Sequence, residues 1–339
     1  MKKKVSIIMP TYNSEKTIEE SLRSIRNQTI DQNQVEILIV DGGSKDRTIE
    51  IAKKYGARII NNERKLPEFA KQKGILEANA KYGIFIDSDE AFMRNDSLER
   101  RVSFLDKHAD VKNLVSTGMA CYEGEIGINR YANYIGDPFS NFMYKYNGYD
   151  RREDMQRFYT YKEEKEGYIF NIDKNGIIPL YDALGNMFDL DYAHNVYNNM
   201  KDNRSFAANI FSNMVSITEK AAMLKDDYVF HRPGLTSKQY LNKLKWRIKN
   251  NLFQEEGVGY SARQKKNSLL KRREVMFVIY CATFVPVIIH SLFLCKKNDD
   301  LYFLNHFIYT EYVFWSIVWF YLLKIFKISI KKDSTYGKR

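Results

Sequence analysis

The sequence predicts an α/β protein, a mostly parallel sheet covered by helices and followed by a pair of membrane-spanning helices. Three observations carry this. Short apolar runs alternate with amphipathic, helix-length segments over residues 5–90. Two of those runs end on acidic clusters, Asp41 and Asp87-Ser88-Asp89. Far downstream, Val275 to Cys295 contains no Asp, Glu, Lys or Arg, enough chain to cross a bilayer as one helix.

The elements follow in order. Val5 to Met9 reads as a buried strand, stopped by Pro10. Ser14 can cap a helix whose apolar face is Ile18, Leu22 and Ile25. Glu36 to Val40 is a second strand. Gly42-Gly43 make the turn, and Ser44 or Asp46 opens a helix running to about Tyr55. Arg58 to Ile60 is a third strand. Glu68 to Ala80 is a third helix with Phe69, Leu76 and Ala80 on one side. Gly83 to Ile86 is a fourth strand that delivers Asp87. This alternation implies a parallel, doubly covered sheet. There is no GxGxxG and no GxxxxGKS, which excludes a standard dinucleotide fold and a P-loop ATPase.

The chain has 339 residues, a net charge of +11 and 44% apolar residues, so a sizeable core can be buried. Cys121, Cys281 and Cys295 are too few and too scattered for a disulfide framework or a zinc site. The positive charge is local: eleven Lys/Arg lie between Lys238 and Arg273, opposed only by Glu255 and Glu256. A basic stretch beside an apolar segment suits anionic lipid head groups, and no nucleic-acid motif accompanies it. In the second apolar stretch, from Leu301, the span is expected from Tyr312 to about Ile330, with Lys324 and Lys327 snorkelling at one end. Basic residues flank the pair on both outer sides, which places both termini in the cytoplasm.

Carboxylates at the carboxyl ends of neighbouring buried strands lie where an open α/β sheet places its ligand. Two aspartates two residues apart repel unless a cation or a hydrogen-bonded hydroxyl shares them, and Mg²⁺ or Mn²⁺ is ordinarily held by one or two carboxylates plus phosphate oxygens. The expected ligand is therefore a nucleotide carrying phosphates, with a divalent metal. Asp41 has a second reading as the cap of its own turn.

The segments VSIIMPTYN, SLRSIRNQ, VEILIVDGGSKDRT, AKQKGILEA and YGIFIDSDE, taken in this order, resemble the family 2 glycosyltransferases, nucleotide-sugar enzymes of the Rossmann-like GT-A fold. The resemblance covers residues 4–92. It implies that Pro10, Thr11 and Tyr12 line the base pocket, that Asp41 accepts a hydrogen bond from the base, that Asp87 and Ser88 lie near the ribose and metal, and that Asp89 binds the metal. Lys71 falls where relatives carry an Arg near the diphosphate, and Gln72 where many have Asn, so a positive charge is kept but a bidentate fork is lost. Ile178-Pro179 through Phe188 resembles the segment that closes over the donor. The stretch DDYVFHRPGLTSKQYLNKLKWR resembles the exit from the catalytic domain, making His231 a candidate metal or diphosphate ligand, with a structural histidine as the other reading. The catalytic base is expected upstream of that histidine: Asp202 in MKDNRSF fits the implied spacing, with Asp189 and Asp191 as rivals and Glu153-Asp154 behind them.

The expected protein is thus an inverting, metal-dependent glycosyltransferase using Mn²⁺ or Mg²⁺ and a UDP-sugar. Its acceptor is expected to be a lipid-linked saccharide in surface polysaccharide or glycolipid synthesis. Direct transfer to polyprenyl phosphate, a processive polymer synthase, and a membrane-tethered nucleotide-sugar-binding scaffold without catalysis are the alternatives. The expected organisation is a catalytic domain over 1–235, basic juxtamembrane helices over 236–274, two transmembrane helices over 275–330 and a basic cytoplasmic tail over 331–339. The membrane is then the cell membrane, with anionic lipids as partners and no nucleic acid.

Overall fold

A computed structural model describes residues 2–125, 127–145, 147–173, 176–178, 181, 185–200, 206, 209–253, 268–328 and 330. Asp202, Pro179 and the tail 331–339 lie outside the described residues.

The chain begins with β1 (Lys3–Thr11), α1 (Ile18–Arg26), β2 (Val35–Asp41), α2 (Thr48–Lys54), β3 (Arg58–Asn61), α3 (Pro67–Glu77) and β4 (Ala80–Phe85). There follow β5 (Glu90–Phe92), α4 (Ser97–Lys107), β6 (Asn113–Val115), β7 (Gly118–Ala120), α5 (Ile128–Ile135), α6 (Pro138–Tyr144) and α7 (Arg151–Phe158). Then come β8 (Thr160–Glu163), β9 (Gly167–Asn171), β10 (Met187–Asp189), α8 (Leu190–Asn199), α9 (Ile210–Thr218), β11 (Lys220–Leu224) and β12 (Tyr228–His231). The last helices are α10 (Ser237–Phe253), α11 (Ser268–Ala282), α12 (Val285–Asn298) and α13 (Asn305–Ile325).

Two compact units divide the chain. Among the described residues, the first comprises those within 2–120 and 149–232, the second those within 121–148, 233–253 and 268–330. Residues 121–148, which the sequence reading kept in the catalytic domain, therefore group with the C-terminal helices.

The first unit is built on a 9-stranded sheet in the order β3-β2-β1-β4-β10-β6-β11-β9-β8. Strands β3, β2, β1 and β4 are parallel, and β10 enters antiparallel between β4 and β6. Strands β1, β2 and β4 are buried on both faces because helices cover both, while β3 at the sheet edge buries only Ile60. Val5, Ile7 and Met9 face the cluster that includes Ile18, Leu22 and Ile25 of α1, while Ile8 faces the cluster with Ala70 and Ile75 of α3. Each fully buried Ile or Leu contributes about 1.5–3 kcal/mol relative to exposure. A second, 3-stranded sheet has the order β5-β12-β7.

Helix α3 corrects the expected face. Its buried residues are Ala70, Lys71, Gly74 and Ile75, Leu76 is 49% exposed, and Ala80 already opens β4. The reason is Gly74: a Cβ there would lie 2.3 Å from Ile8 Cγ2, so the helix approaches β1 on the glycine side. Met187 and Phe188, expected in a segment closing over the donor, are instead buried strand residues. Phe188 sits opposite Gly83 of β4, where a Cβ would lie 2.6 Å from its ring.

In the second unit, Tyr131 is wholly buried, its ring packed on Tyr240, Phe303 and Tyr309 and its hydroxyl 2.8 Å from His306 Nδ1. The expected continuous span from Val275 to Cys295 is broken. Helices α11 and α12 meet at 91° around Thr283–Phe284, and Phe284 has φ +57°. Pro286 explains the break: in a continuous helix its ring would clash with the carbonyl of Ala282, and it has no N–H to donate. Among the described residues no single helix is long and apolar enough to cross a membrane.

Candidate functional site

The strand order 3-2-1-4 contains a reversal. From β1 the chain crosses to β2 and β3 on one side, then returns to β4 on the other. The crevice outside the carboxyl ends of β1 and β4 is the position at which such sheets bind ligands. Thr11 and Tyr12 leave β1 there, Asp41 ends β2, and Asp87, Ser88 and Asp89 follow β4. The register fixes this, since Thr11 pairs with Asp41 and Ile8 with both Leu38 and Phe85.

Asp41 is 6% exposed, and four donors converge on it. Thr11 Oγ1 donates to Oδ1 at 2.9 Å and Ser44 Oγ at 2.5 Å. Gly43 N and Ser44 N donate to Oδ2 at 2.8 and 2.7 Å. Two carboxylate oxygens offer about four acceptor directions, and this turn fills them. The turn-capping reading of Asp41 is therefore realised, and a base N–H would have to displace a rotatable hydroxyl such as Ser44 Oγ. The loop after β1 is stapled to the same turn. Asn13, at φ +50°, donates its backbone N–H to Ser44 Oγ at 2.8 Å, and its Oδ1 accepts from Lys45 N at 2.9 Å. Ser14 Oγ reaches Ser88 Oγ at 2.9 Å. Tyr12 is exposed at 37%, at the rim of the crevice. Pro10 is half-buried beside Val40.

The acidic turn after β4 is braced from beneath. Lys71 Nζ on α3 stands 3.2 Å from Asp87 Oδ1 and lies over the Phe85 ring. Glu90 Oε2 accepts the Asp87 backbone N–H at 3.0 Å, and Glu90 is 1% exposed. Burial, then the neighbouring charge of Asp87, pushes its carboxyl up to about 8. Sequence reasoning passed over Glu90. Its signal was an acidic residue opening the apolar run Glu90-Ala91-Phe92, where a lone charge must find buried partners. Strand β12 pairs His231 with Glu90 and brings its Nε2 3.7 Å from Asp89 Oδ2. Asp89 and His231 are both partly exposed, at 32% and 18% of their side chains.

Among the described residues no group of three His, Cys, Asp or Glu is poised as a metal site. The pair Asp89–His231 nevertheless suits a cation that completes its shell with phosphate oxygens and water, because Mg²⁺-type sites often use only one or two protein ligands. Asp87 is engaged by Lys71.

The structure does not bring Asp189 or Asp191 to this crevice. Asp189 pairs with Tyr82, five residues before Asp87, a displacement of about 17 Å along a strand rising about 3.3 Å per residue. Its carboxylate caps α8 at Tyr192 N and binds Lys112 at 2.9 Å. Asp191 is exposed and pairs with Lys2 at 2.8 Å, at the amino end of the sheet. The expectation failed because β10 runs antiparallel, so the end of that strand points away from the site. Asp154, the weaker rival, is buried on α7 beside Arg157.

Comparison with known proteins follows the same outline. The family described as Glycosyl transferase family 2 matches residues 6–175. The poly(ribitol-phosphate) beta-N-acetylglucosaminyltransferase TarS of Staphylococcus aureus is 32% identical over 111 residues, 31% of this chain and 19% of that protein. The putative glycosyltransferase EpsE of Bacillus subtilis is 35% identical over 133 residues, 37% of this chain and 46% of that protein. The chain thus spans less than half the length of these relatives. Among solved structures, the mannosyltransferase PcManGT from Pyrobaculum calidifontis, in complex with GDP-Man and Mn²⁺, covers 97% of this chain and 89% of its own at 11% identity, with a TM-score of 0.54. That likeness is one of fold.

Proposed function

Because the chain belongs to glycosyl transferase family 2, we propose that it transfers a sugar from a nucleotide-sugar donor to an acceptor hydroxyl with inversion. The observation that carries this reading is the gathering of Tyr12, Lys71, Asp87, Asp89 and His231 at the switch point between β1 and β4. The base of the nucleotide stacks at the Tyr12 rim, and Asp41 shapes the pocket floor through its turn. Lys71 faces the diphosphate side as a point charge on α3. Asp89 and His231 would hold a divalent cation, Mn²⁺ or Mg²⁺, which would supply positive charge against the departing diphosphate.

A carboxylate takes the acceptor proton as the anomeric carbon is attacked, which requires it within about 3 Å or one water of that hydroxyl. With Asp189 and Asp191 placed at the far end of the sheet, Asp202 keeps this role in the proposal. Curated relatives whose names refer to poly(ribitol-phosphate) support a surface-polymer acceptor, and the apolar C-terminal helices support a lipid-linked one at the cytoplasmic face of the cell membrane. Anionic lipids would hold the basic segments there. UDP-sugars are the first donors to try.

The test is a panel of nucleotide sugars assayed for hydrolysis and transfer with Mn²⁺, for the wild type and for Asp89→Asn. Transfer lost in the variant and in excess chelator, with the circular dichroism spectrum retained, supports the reading. Turnover that persists in chelator refutes the metal, and nucleotide binding without turnover across the panel refutes the enzyme.

A further inference from the structure

We propose that the broken apolar segment enters one leaflet and returns, seating the second unit on the bilayer without crossing it. The proposal rests on the membrane association just argued; the re-entrant pair α11–α12 takes the place of the first span expected from the sequence, and α13, lying along the surface, takes the place of the second.

The exposed large apolar side chains are concentrated here. Among the described residues, all but Tyr12, Leu76, Met93, Tyr161 and Ile217 lie between Leu269 and Ile328. On α11 and α12 only a narrow inner stripe is buried, including Phe277, Cys281, Val287 and Leu294. The outer faces carry Val275, Val278, Ile279, Val285, Ile289 and Phe293, each more than half exposed. A water-facing surface of this kind would be unfavourable by roughly 25 cal/mol per Å² of apolar area, so it needs a cover.

Charge and length identify the cover. The uncharged arms, Val275–Ala282 and Val285–Cys295, are about 12 and 16 Å long at 1.5 Å per residue. Folded through 91°, they reach about 10 Å below their polar ends, against a hydrocarbon core of about 30 Å. This is the depth of an interfacial element, not of a span. Both ends are polar: exposed Lys271 and Arg272 lie near the start of α11 beside exposed Glu274, and exposed Lys296 and Lys297 close α12 just before Asp299 and Asp300. The lysines and arginine at these ends can meet anionic head groups. A bilayer offers hydrocarbon to the apolar apex and a polar head-group layer to the charged ends at the same time.

The apex also satisfies the rule that polar groups in hydrocarbon be bonded internally. Thr283 Oγ1 donates to Ile279 O at 2.8 Å, and Val285 N donates to Thr283 O at 2.6 Å. Polar side chains of the pair turn inward, with Tyr280 Oη 2.8 Å from His290 Nδ1. Helix α13 continues the same design. Ile308, Trp315, Trp319, Leu322 and Phe326 form one exposed stripe at helical spacing, while Tyr309, Val313 and Phe320 on other faces are buried. Tryptophans on such a stripe favour the head-group level.

The experiment places single cysteines in a full-length chain carrying Cys121→Ser, Cys281→Ser and Cys295→Ser. Asn298→Cys reports the connection after α12, Lys16→Cys reports the first unit, and Phe284→Cys reports the apex. Sealed membrane vesicles of both orientations, prepared from expressing cells, are treated with a membrane-impermeant maleimide. A nitroxide at Phe284→Cys is read separately in vesicles of equal parts phosphatidylcholine and phosphatidylglycerol. The expected result is labelling of positions 298 and 16 from the same side, with the nitroxide reached by oxygen and shielded from a polar nickel quencher. Labelling from opposite sides overturns the re-entrant pair and leaves membrane association standing. When the vesicles are washed at alkaline pH, a chain recovered wholly in the soluble fraction, or sedimenting in that fraction as a dimer, overturns both. A nitroxide open to the nickel quencher overturns the depth and leaves only surface contact.

Discussion

The buried ion pair between Arg101 and Asp227 tests how the first unit holds its two sheets in register. Arg101 Nε lies 2.7 Å from Asp227 Oδ2, both side chains are 0% exposed, and Arg101 Nη1 also donates to Gly185 O. The pair joins α4 to the turn before β12, the strand that carries His231. Arg101→Met leaves the Asp227 carboxylate buried without a counter-charge and Gly185 O without that donor. Breaking such a pair from one side costs about 3–5 kcal/mol. For a unit of this size that is a fall in Tm of roughly 6–20 °C. The double variant Arg101→Met/Asp227→Leu removes the stranded charge and should recover most of the loss, because replacing both members with apolar groups is often neutral.

Acid should also rescue the single variant. An uncompensated buried carboxyl has its folded pKa raised above the unfolded value of about 3.9, so the penalty is absent below that value and grows as pH rises through the folded pKa. Thermal unfolding followed by circular dichroism, across the four corners of the cycle and at two pH values, reads both effects. Single and double variants that lose stability additively, or a single variant within about 1 kcal/mol of wild type, would refute the reasoning.

Two further outcomes follow from the site. Gly74→Ala puts a Cβ 2.3 Å from Ile8 Cγ2 and should cost about 1–3 kcal/mol or more, with Ile8→Ala recovering part of it in denaturant melts; a neutral Gly74→Ala would show that α3 is free to move off β1. Glu90, raised to about 8 by burial and by Asp87, is a raised acid, so the stability it allows is full below about pH 4.3 and is lost as pH rises through about 8, at up to roughly 1.4 kcal/mol per unit. Glu90→Gln keeps the acceptor for Asp87 N and should flatten that decline in chelator-treated protein; denaturation midpoints with equal pH slopes for the two proteins would contradict it.

The sequence by itself determined the crevice at the carboxyl ends of β1, β2 and β4. Strands β1, β2 and β4 are largely buried runs of apolar residues, and β2 and β4 end on turns whose Asp, Gly and Ser are local signals. That is why Asp41, Asp87 and Asp89 could be placed at one edge before any coordinates. Lys71 was also legible, through the resemblance over residues 4–92. Tertiary structure decided the rest. Strand direction leaves no local mark, so only the antiparallel pairing of β10 revealed that Asp189 and Asp191 sit at the wrong end of the sheet. The bracing of Asp87 by Glu90, and the approach of His231 to Asp89, arise from a second sheet whose strands are far apart in sequence. Composition established that Val275 to Cys295 is apolar and long enough to cross a bilayer. The 91° break at Pro286 decided its path, because hydrophobic length sets what a segment can span only while its helix stays continuous.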